Sequence, residues 1–302
     1  MSNEGVQNFG SGTINISNSV VGKHGTVNVT PAQESRYQKA PGRERSRSGV
    51  GVITVLSEET NAVAVALGSA GHCEKQIRDG ARFYEATVDS GGIQVTVAVT
   101  QALHMGSVPT SMAVDRLRRY YDPSVIVLVG IAGGIHPAVS LGDVVVVREV
   151  IYYDSRKETP DKVFRRGYTR AIPAATLHAV NDFFSSNGEP CAGRSEDPDG
   201  IRRDYKILPG PIGSGEAVIA DPGSDIRRYI AAVNDKTLAV ETEAGGLAEA
   251  FYETAGADAS GWLAIRGISD HADAEKNDAY HEIASWHAAA VLLRLLPFLV
   301  SG

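Results

Sequence analysis

The chain has 302 residues, 43% of them hydrophobic and 22% charged, with a formal charge of −7; that length holds one large α/β domain or two modest ones, and the acidic balance excludes a general nucleic-acid binder, whose footprint is a basic excess. Its two cysteines, Cys73 and Cys191, stand far apart with no CxxC, which excludes a disulfide framework or a cysteine zinc site. The N-terminus lacks signal-peptide order and no run reaches the ~18 apolar residues of a membrane span, so a cytoplasmic chain with no membrane partner is expected.

Residues 1–48 form a region of their own. "NFGSGTINISNSVVGKHGTVNV" is rich in Gly, Ser and Asn and carries short β-branched pieces at Thr13–Ile16 and Thr26–Val29. That is too little apolar surface for a core, enough for a small hairpin at most. "QESRYQKAPGRERSRSG" then reads as a basic linker through Pro41 and Gly42. The leader is either a loose tail or an arm that pairs with a protein partner.

From Gly49 onward the texture is that of a folded domain, taken here as residues 49–302. Apolar, β-branched runs predict strands at Val50–Val55, Ile93–Val99, Val125–Val129, Val144–Val147, Leu238–Val240 and Trp262–Ile265. They are short and mostly non-alternating, as strands covered on both faces are. Helical patterns lie between them at Ser111–Tyr121 and Glu241–Tyr252, and a long last helix covers Ala279–Leu299. Strand alternating with helix predicts an α/β fold with a mainly parallel or mixed sheet, whose ligands sit beyond the carboxyl ends of strands.

Those strand ends carry the chemistry. The first releases "LSEETNAV", in which Glu58 and Glu59 open a helix and either complement its dipole or face a pocket. "VLVGIAGGI" follows its strand with Gly130, Gly133 and Gly134, which allow close backbone approach but match neither a dinucleotide nor a P-loop pattern. Asp143, opening the next strand, reads as a structural acid. "LAVETEAGGLAEA" ends a strand in Glu241-Thr242-Glu243; a helix starting there would part the two glutamates, so only one is expected in a pocket. A carboxylate there suits a cis-diol such as ribose. "IRGISDHAD" ends the last core strand at Arg266 and Gly267 and presents Ser269 and Asp270.

Four of these pieces, "VLVGIAGGI…LGDVVV", "GSGEAVIAD", "AVETEAGGLAEA" and "IRGISDHAD", resemble in order the landmarks of the nucleoside phosphorylase and nucleosidase superfamily, nearest the methylthioadenosine/S-adenosylhomocysteine nucleosidase branch. The resemblance spans about residues 50–300. It implies a three-layer α/β/α domain with a mixed, partly barrel-like central sheet, and a homo-oligomer whose pockets a neighbour completes. It makes Asp270 the acid at purine N7, Glu243 the ribose-binding carboxylate and Glu59 the group that positions attacking water. Thr242 and Glu241 flank the ribose site, Val218 and Ile219 line the base pocket, Ser269 precedes the acid, and Gly133, Met105 and Gly106 line the sugar side. His104 stands where the family has a small residue, which would alter that side of the pocket. The leader resembles the short Gly/Asn/Val-rich leaders of some bacterial conflict-system proteins.

The residue types suit the reaction this implies. Cleaving an N-glycosidic bond builds positive charge on the ribose and negative charge on the base; a protonated acid at N7 relieves the second, and carboxylates tolerate the first. Asp270 must then hold a proton near neutral pH, through burial and carboxylate neighbours. Ser57-Glu58-Glu59-Thr60-Asn61 carries no arginine where phosphorylases of the superfamily hold phosphate, so two carboxylates there favour hydrolysis over phosphorolysis. Neither cofactor nor metal is needed, and His271 and His281, without metal spacing, are structural or substrate-contacting at most. "YYDSRKETPDKVFRRGY" offers Arg156, Lys157, Arg165 and Arg166 to a nucleotide's 5′-phosphates, or is a solvated loop balanced by its acids. The first option makes the chain an adenine-nucleotide N-glycosidase and a nucleotide-depleting bacterial defence effector. The alternatives are a purine nucleoside phosphorylase and an inactive nucleotide-sensing module. The polar stretch "NGEPCAGRSEDPDGIRRD" has no assignable role.

Overall fold

A computed structural model describes residues 49–90, 92–196, 200–253, 261–275 and 277–300; the leader lies outside the described residues. In chain order the elements are β1 (Val50–Thr54), α1 (Ser57–Ala70), β2 (Gly71–Arg78), β3 (Ala81–Ser90), β4 (Ile93–Gln101), α2 (Ser107–Tyr120) and β5 (Val125–Gly134). There follow β6 (Val144–Tyr152), β7 (Arg156–Glu158), β8 (Val163–Arg165), β9 (Tyr168–Ala171), α3 (Ala174–Asn187), β10 (Cys191–Glu196) and β11 (Arg202–Ser214). The chain closes with α4 (Asp225–Val233), β12 (Ala239–Glu241), α5 (Ala244–Glu253), β13 (Gly261–Asp270) and α6 (His281–Val300).

The main sheet is mixed. β1 lies parallel between β4 and β5, β13 lies between β5 and β6, and β11 runs parallel to β6. Short β12 pairs parallel to β11 and antiparallel to β5. That double pairing joins β5, β13, β6, β11 and β12 into a closed ring, while β1, β4, β3 and β2 extend it as an open sheet. The barrel-like sheet implied by the family resemblance is therefore present, and all its inner strands are apolar for a reason. Val125–Val129 and Leu263–Ile265 are buried by helices on one side and by the ring interior on the other, at about 1.5–3 kcal/mol for each large side chain removed from water.

Several elements escaped the sequence. β2 alternates exposed and half-buried residues with few large apolar ones, so it is held by pairing with β3 rather than by a hydrophobic face. The polar stretch after Asn187, given no role by the sequence, has a structural one: Cys191–Glu196 pairs antiparallel with Arg202–Ile207, which extends the sheet edge. α3 and α4 went unread. α6 packs on α1 and β13 with Ala284, Ala288, Val291, Leu292 and Leu295 buried. It is 20 residues long with a mean hydropathy of 1.7, long and apolar enough to cross a membrane by length and composition alone, contrary to the expectation that no segment qualifies.

Candidate active site

β13 delivers the acid. Its pairing with β5 slips between Ile268 and Asp270, leaving Ser269 as a bulge, a device that re-aims the residue beyond it. Asp270 is buried; its Oδ1 accepts the Ala272 N–H at 2.8 Å and its Oδ2 accepts the Ser269 hydroxyl at 3.0 Å. Ala272 sits at φ 51°, a left-handed conformation that non-glycine residues seldom adopt. Arg227 of α4 fixes this turn from behind. Its guanidinium donates to the carbonyls of His271 (3.4 Å), Ala272 (3.3 Å) and Ile135 (3.2 Å).

The first strand end resolves the choice between Glu58 and Glu59. Glu58 is exposed, whereas Glu59 is buried. Glu59 Oε2 accepts the N–H groups of Val55 (2.7 Å) and Leu56 (2.9 Å), and Oε1 accepts Ile131 N–H (3.0 Å). It caps α1 and faces the cavity at once. Burial pushes its pKa up to about 7, against the pull of Arg266 and the backbone donors at 56 and 55, while Glu243 adds to the rise.

Arg266 organises the rest. It is completely buried, and its Nη2 donates to Glu241 Oε2 and, at 3.0 Å, to Glu243 Oε2. Burial works against its charge, but Glu241, Glu243 and Glu59 overcome that and raise its pKa. Glu241 is itself raised by burial, with Arg266 opposing and Glu243 reinforcing. Gly130 is obligatory here, since a Cβ would strike both the Arg266 guanidinium and the Glu59 carboxylate. Arg266 Nε and Nη1 are buried without a hydrogen-bond acceptor among the described residues. Glu241 also accepts the N–H groups of Glu243 and Ala244, and Glu243 Oε1 accepts from the Thr242 hydroxyl and from Gly106 N–H at 3.3 Å. The arginine thus keeps both glutamates at the site, where only one was expected.

These groups surround one cavity of about 230 Å³. Glu59, Met105, Gly133, Val218, Ile219, Glu241, Thr242, Glu243, Ser269 and Asp270 all line it. Gly133 is tight against the acid: a Cβ there would lie 2.8 Å from Asp270 Oδ1. Gly106 stands behind the wall as the N-cap of α2, and Met105 and Val218 are each 58% exposed where the cavity meets solvent. His104 is exposed and outside the lining, so it does not reshape the pocket.

The basic segment stands apart from the cavity. Arg156, Lys157, Arg165 and Arg166 do not line the cavity. They belong to the β7–β8 hairpin, where Arg156 pairs with Glu158 at 2.7 Å and Asp154 at 3.5 Å. Arg165 donates to Tyr153 O at 3.4 Å and Arg166 N–H to Ser155 O at 2.7 Å. Of the four, Arg156 is the one with acidic partners among the described residues. Asp143 is structural, accepting from Ser140 and Lys206 N–H groups.

Sequence reasoning missed Arg266 as a site residue, along with Arg227 and Tyr153; His281, read as structural or substrate-contacting at most, lines the cavity. A buried arginine inside an apolar strand was the available signal for the first, because such a charge requires partners. Tyr153 lines the cavity and donates its hydroxyl to Ala217 O at 2.8 Å.

The model of the Phosphorylase superfamily matches residues 50–297, and the chain belongs to that superfamily. It is 27% identical over 257 residues to the ATP nucleosidase Cap17 of Escherichia coli, a match covering 80% of this chain; the chain spans about half (49%) of that relative's length. It is 27% identical over 195 residues to the 5′-methylthioadenosine/S-adenosylhomocysteine nucleosidase of Bacillus licheniformis, covering 64% of this chain and 77% of the relative. Among solved structures, the corresponding nucleosidase of Colwellia psychrerythraea in complex with adenine superposes with a TM-score of 0.64 at 20% identity, over 84% of this chain and 97% of the other.

Proposed function

We propose that this member of the phosphorylase superfamily hydrolyses the N-glycosidic bond of an adenine nucleoside or nucleotide, with water as the nucleophile. The carrying observation is that a buried aspartic acid and a buried glutamate of pKa about 7 face one cavity, joined there by the Arg266-held pair Glu241 and Glu243. Asp270 gives its proton to, or shares it with, purine N7 as the C1′–N9 bond breaks, and the bonding pair leaves with the base. Positive charge then develops on the ribose ring beside the carboxylates, with Glu243 accepting hydrogen bonds from the ribose hydroxyls. Glu59 takes a proton from water as its oxygen bonds to C1′, so the products are adenine and a free sugar. Arg266, which opposes the rise in the Glu59 pKa, favours the ionised form that accepts this proton.

Phosphate is the less favoured nucleophile. A cation does stand beside Glu59, but it comes from β13 and is already shared by two carboxylates, so a phosphate dianion would meet net repulsion. Adenine release in phosphate-free buffer, followed by chromatography, is the test: a phosphorylase or a binding-only module would be silent.

The finer reading follows from the relatives. One relative is an ATP nucleosidase and another a methylthioadenosine/S-adenosylhomocysteine nucleosidase, which supports an adenine substrate and, through the first, a nucleotide; a cytoplasmic role in depleting nucleotides for defence is part of the same proposal. Residues 49–302 would form the catalytic unit and residues 1–48 an arm for a protein partner. Exposed Met105 on the cavity, with exposed Leu103, Val108 and Met112 close to it in sequence, suits a second copy of the chain, giving a homo-oligomer whose sites are completed by a neighbour.

A further inference from the structure

β6 and β11 run parallel and end together, with Tyr152 opposite Ser214. The chain leaving β11 therefore passes the residues that follow β6, Tyr153 and Asp154. A Cβ at Gly215 would strike the Tyr153 ring, so a glycine there lets the two exits approach. Residues 216–220 come next, and Ala217, Val218 and Ile219 among them line the cavity. They belong to neither helix nor strand. Among the described residues, no backbone–backbone hydrogen bond holds them.

Side chains hold this wall instead. Asp154 Oδ2 accepts the N–H groups of both Glu216 and Ala217, the second at 3.2 Å. The Tyr153 hydroxyl donates to Ala217 O at 2.8 Å. Two consecutive residues thus fix Ala217 at both its N–H and its carbonyl. Glu216 Oε1 accepts Ser107 N–H at 3.2 Å, which ties the same segment to the start of α2. Asp154 is only 11% exposed, and Arg156 Nη1 lies 3.5 Å from its other carboxylate oxygen. A carboxylate on backbone N–H groups makes hydrogen bonds roughly twice as strong as neutral ones, so Asp154 is the firmest of these attachments.

We propose that Asp154 is a positioning residue for the base wall. With Tyr153 it fixes the depth at which Val218 and Ile219 meet the purine, and so governs affinity for the base rather than the rate of bond cleavage. The inference rests on the proposed N-glycosidase reading and deepens it.

Adenine alone is the probe of the wall, because it carries no sugar and has no bond to cleave. In calorimetry on the full chain, D154A should bind adenine ~10-fold more weakly than the parent, the scale of a hydrogen bond to a charged group. KM for adenosine should rise by a similar factor while kcat stays within ~3-fold, the pattern of lost uniform binding. D154N keeps an acceptor oxygen and should recover most of the affinity; Y153F should lose ~3-fold, for one neutral hydrogen bond. A merely structural role predicts a lower melting temperature without that split between KM and kcat. Parent-like adenine affinity in D154A, a fall in kcat at unchanged KM, or no adenine binding by the parent would overturn the assignment. So would an equal loss in R156M, which would transfer the effect to the β7–β8 hairpin. Should D154A not fold, Y153F decides through its adenine affinity. Absence of adenine release from adenosine and AMP would overturn the hydrolase reading instead, and the adenine titrations would still decide Asp154.

Discussion

Arg227 Nη1 donates to the carbonyl oxygen of Ala272 at 3.3 Å, two residues beyond the proposed catalytic acid. The same guanidinium holds His271 O and Ile135 O, and the Ala272 N–H binds Asp270 Oδ1. One side chain on α4 therefore sets the turn that aims Asp270. Replacing it with methionine should reduce kcat by ~10- to 100-fold, the scale on which small misplacements act, while KM changes little. Lysine, with a single donor head, should recover only part. Steady-state kinetics with a melting curve for each variant make the check; a KM effect with unchanged kcat would assign Arg227 to binding instead.

Asp270→Asn keeps the shape and removes the proton donor. Activity should fall by at least ~100-fold, within the usual worth of general acid help, with an unchanged far-UV spectrum. Full turnover by this variant would take Asp270 out of the mechanism.

The rate should rise with pH through about 7, because Glu59 must be ionised to accept a proton from water and burial holds its pKa there. The apparent value belongs to the cluster with Glu241, Glu243 and Arg266 rather than to one residue. Glu59→Gln should abolish both the rate and its rising limb. Linkage acts in the opposite direction. The folded chain binds this proton more tightly than the unfolded one, so the stability Glu59 contributes is complete below the ordinary value of 4.5 and is lost as pH rises through about 7. A pH–rate profile and denaturation at pH 5 and 8 read the two effects separately.

Arg266→Met leaves Glu241 and Glu243 buried without their shared cation. Breaking such a cluster from one side costs about 3–5 kcal/mol, visible as a lower urea midpoint. Doubly protonated carboxylates tolerate the loss better, so the deficit should shrink at acid pH. A variant as stable as the parent at pH 8 would mean that the cluster does not depend on its guanidinium.

The acids were legible because each follows directly from an apolar strand: Glu59 after Val50–Val55, Glu243 after Leu238–Val240, Asp270 after Trp262–Ile265. Position at a strand end needs no tertiary information. Arg266 was illegible for the converse reason, as its meaning depends on Glu241 and Glu243, which lie 25 and 23 positions away. The hairpin arginines could be read two ways because charge in a loop does not reveal which acids fold back on it, and Arg156 meets Asp154 and Glu158. β12 was visible as an apolar triplet, but its pairing to both β5 and β11 is a property of the whole sheet.

The strand that closes the ring is only three residues long, and its last residue is Glu241, the residue Arg266 grips. Completing the barrel and assembling the charge cluster are thus a single event. A chain with β12 still loose would lack the Glu241–Glu243 wall between Glu59 on α1 and Asp270 on β13. The proposed N-glycosidase site therefore exists only once the ring is closed.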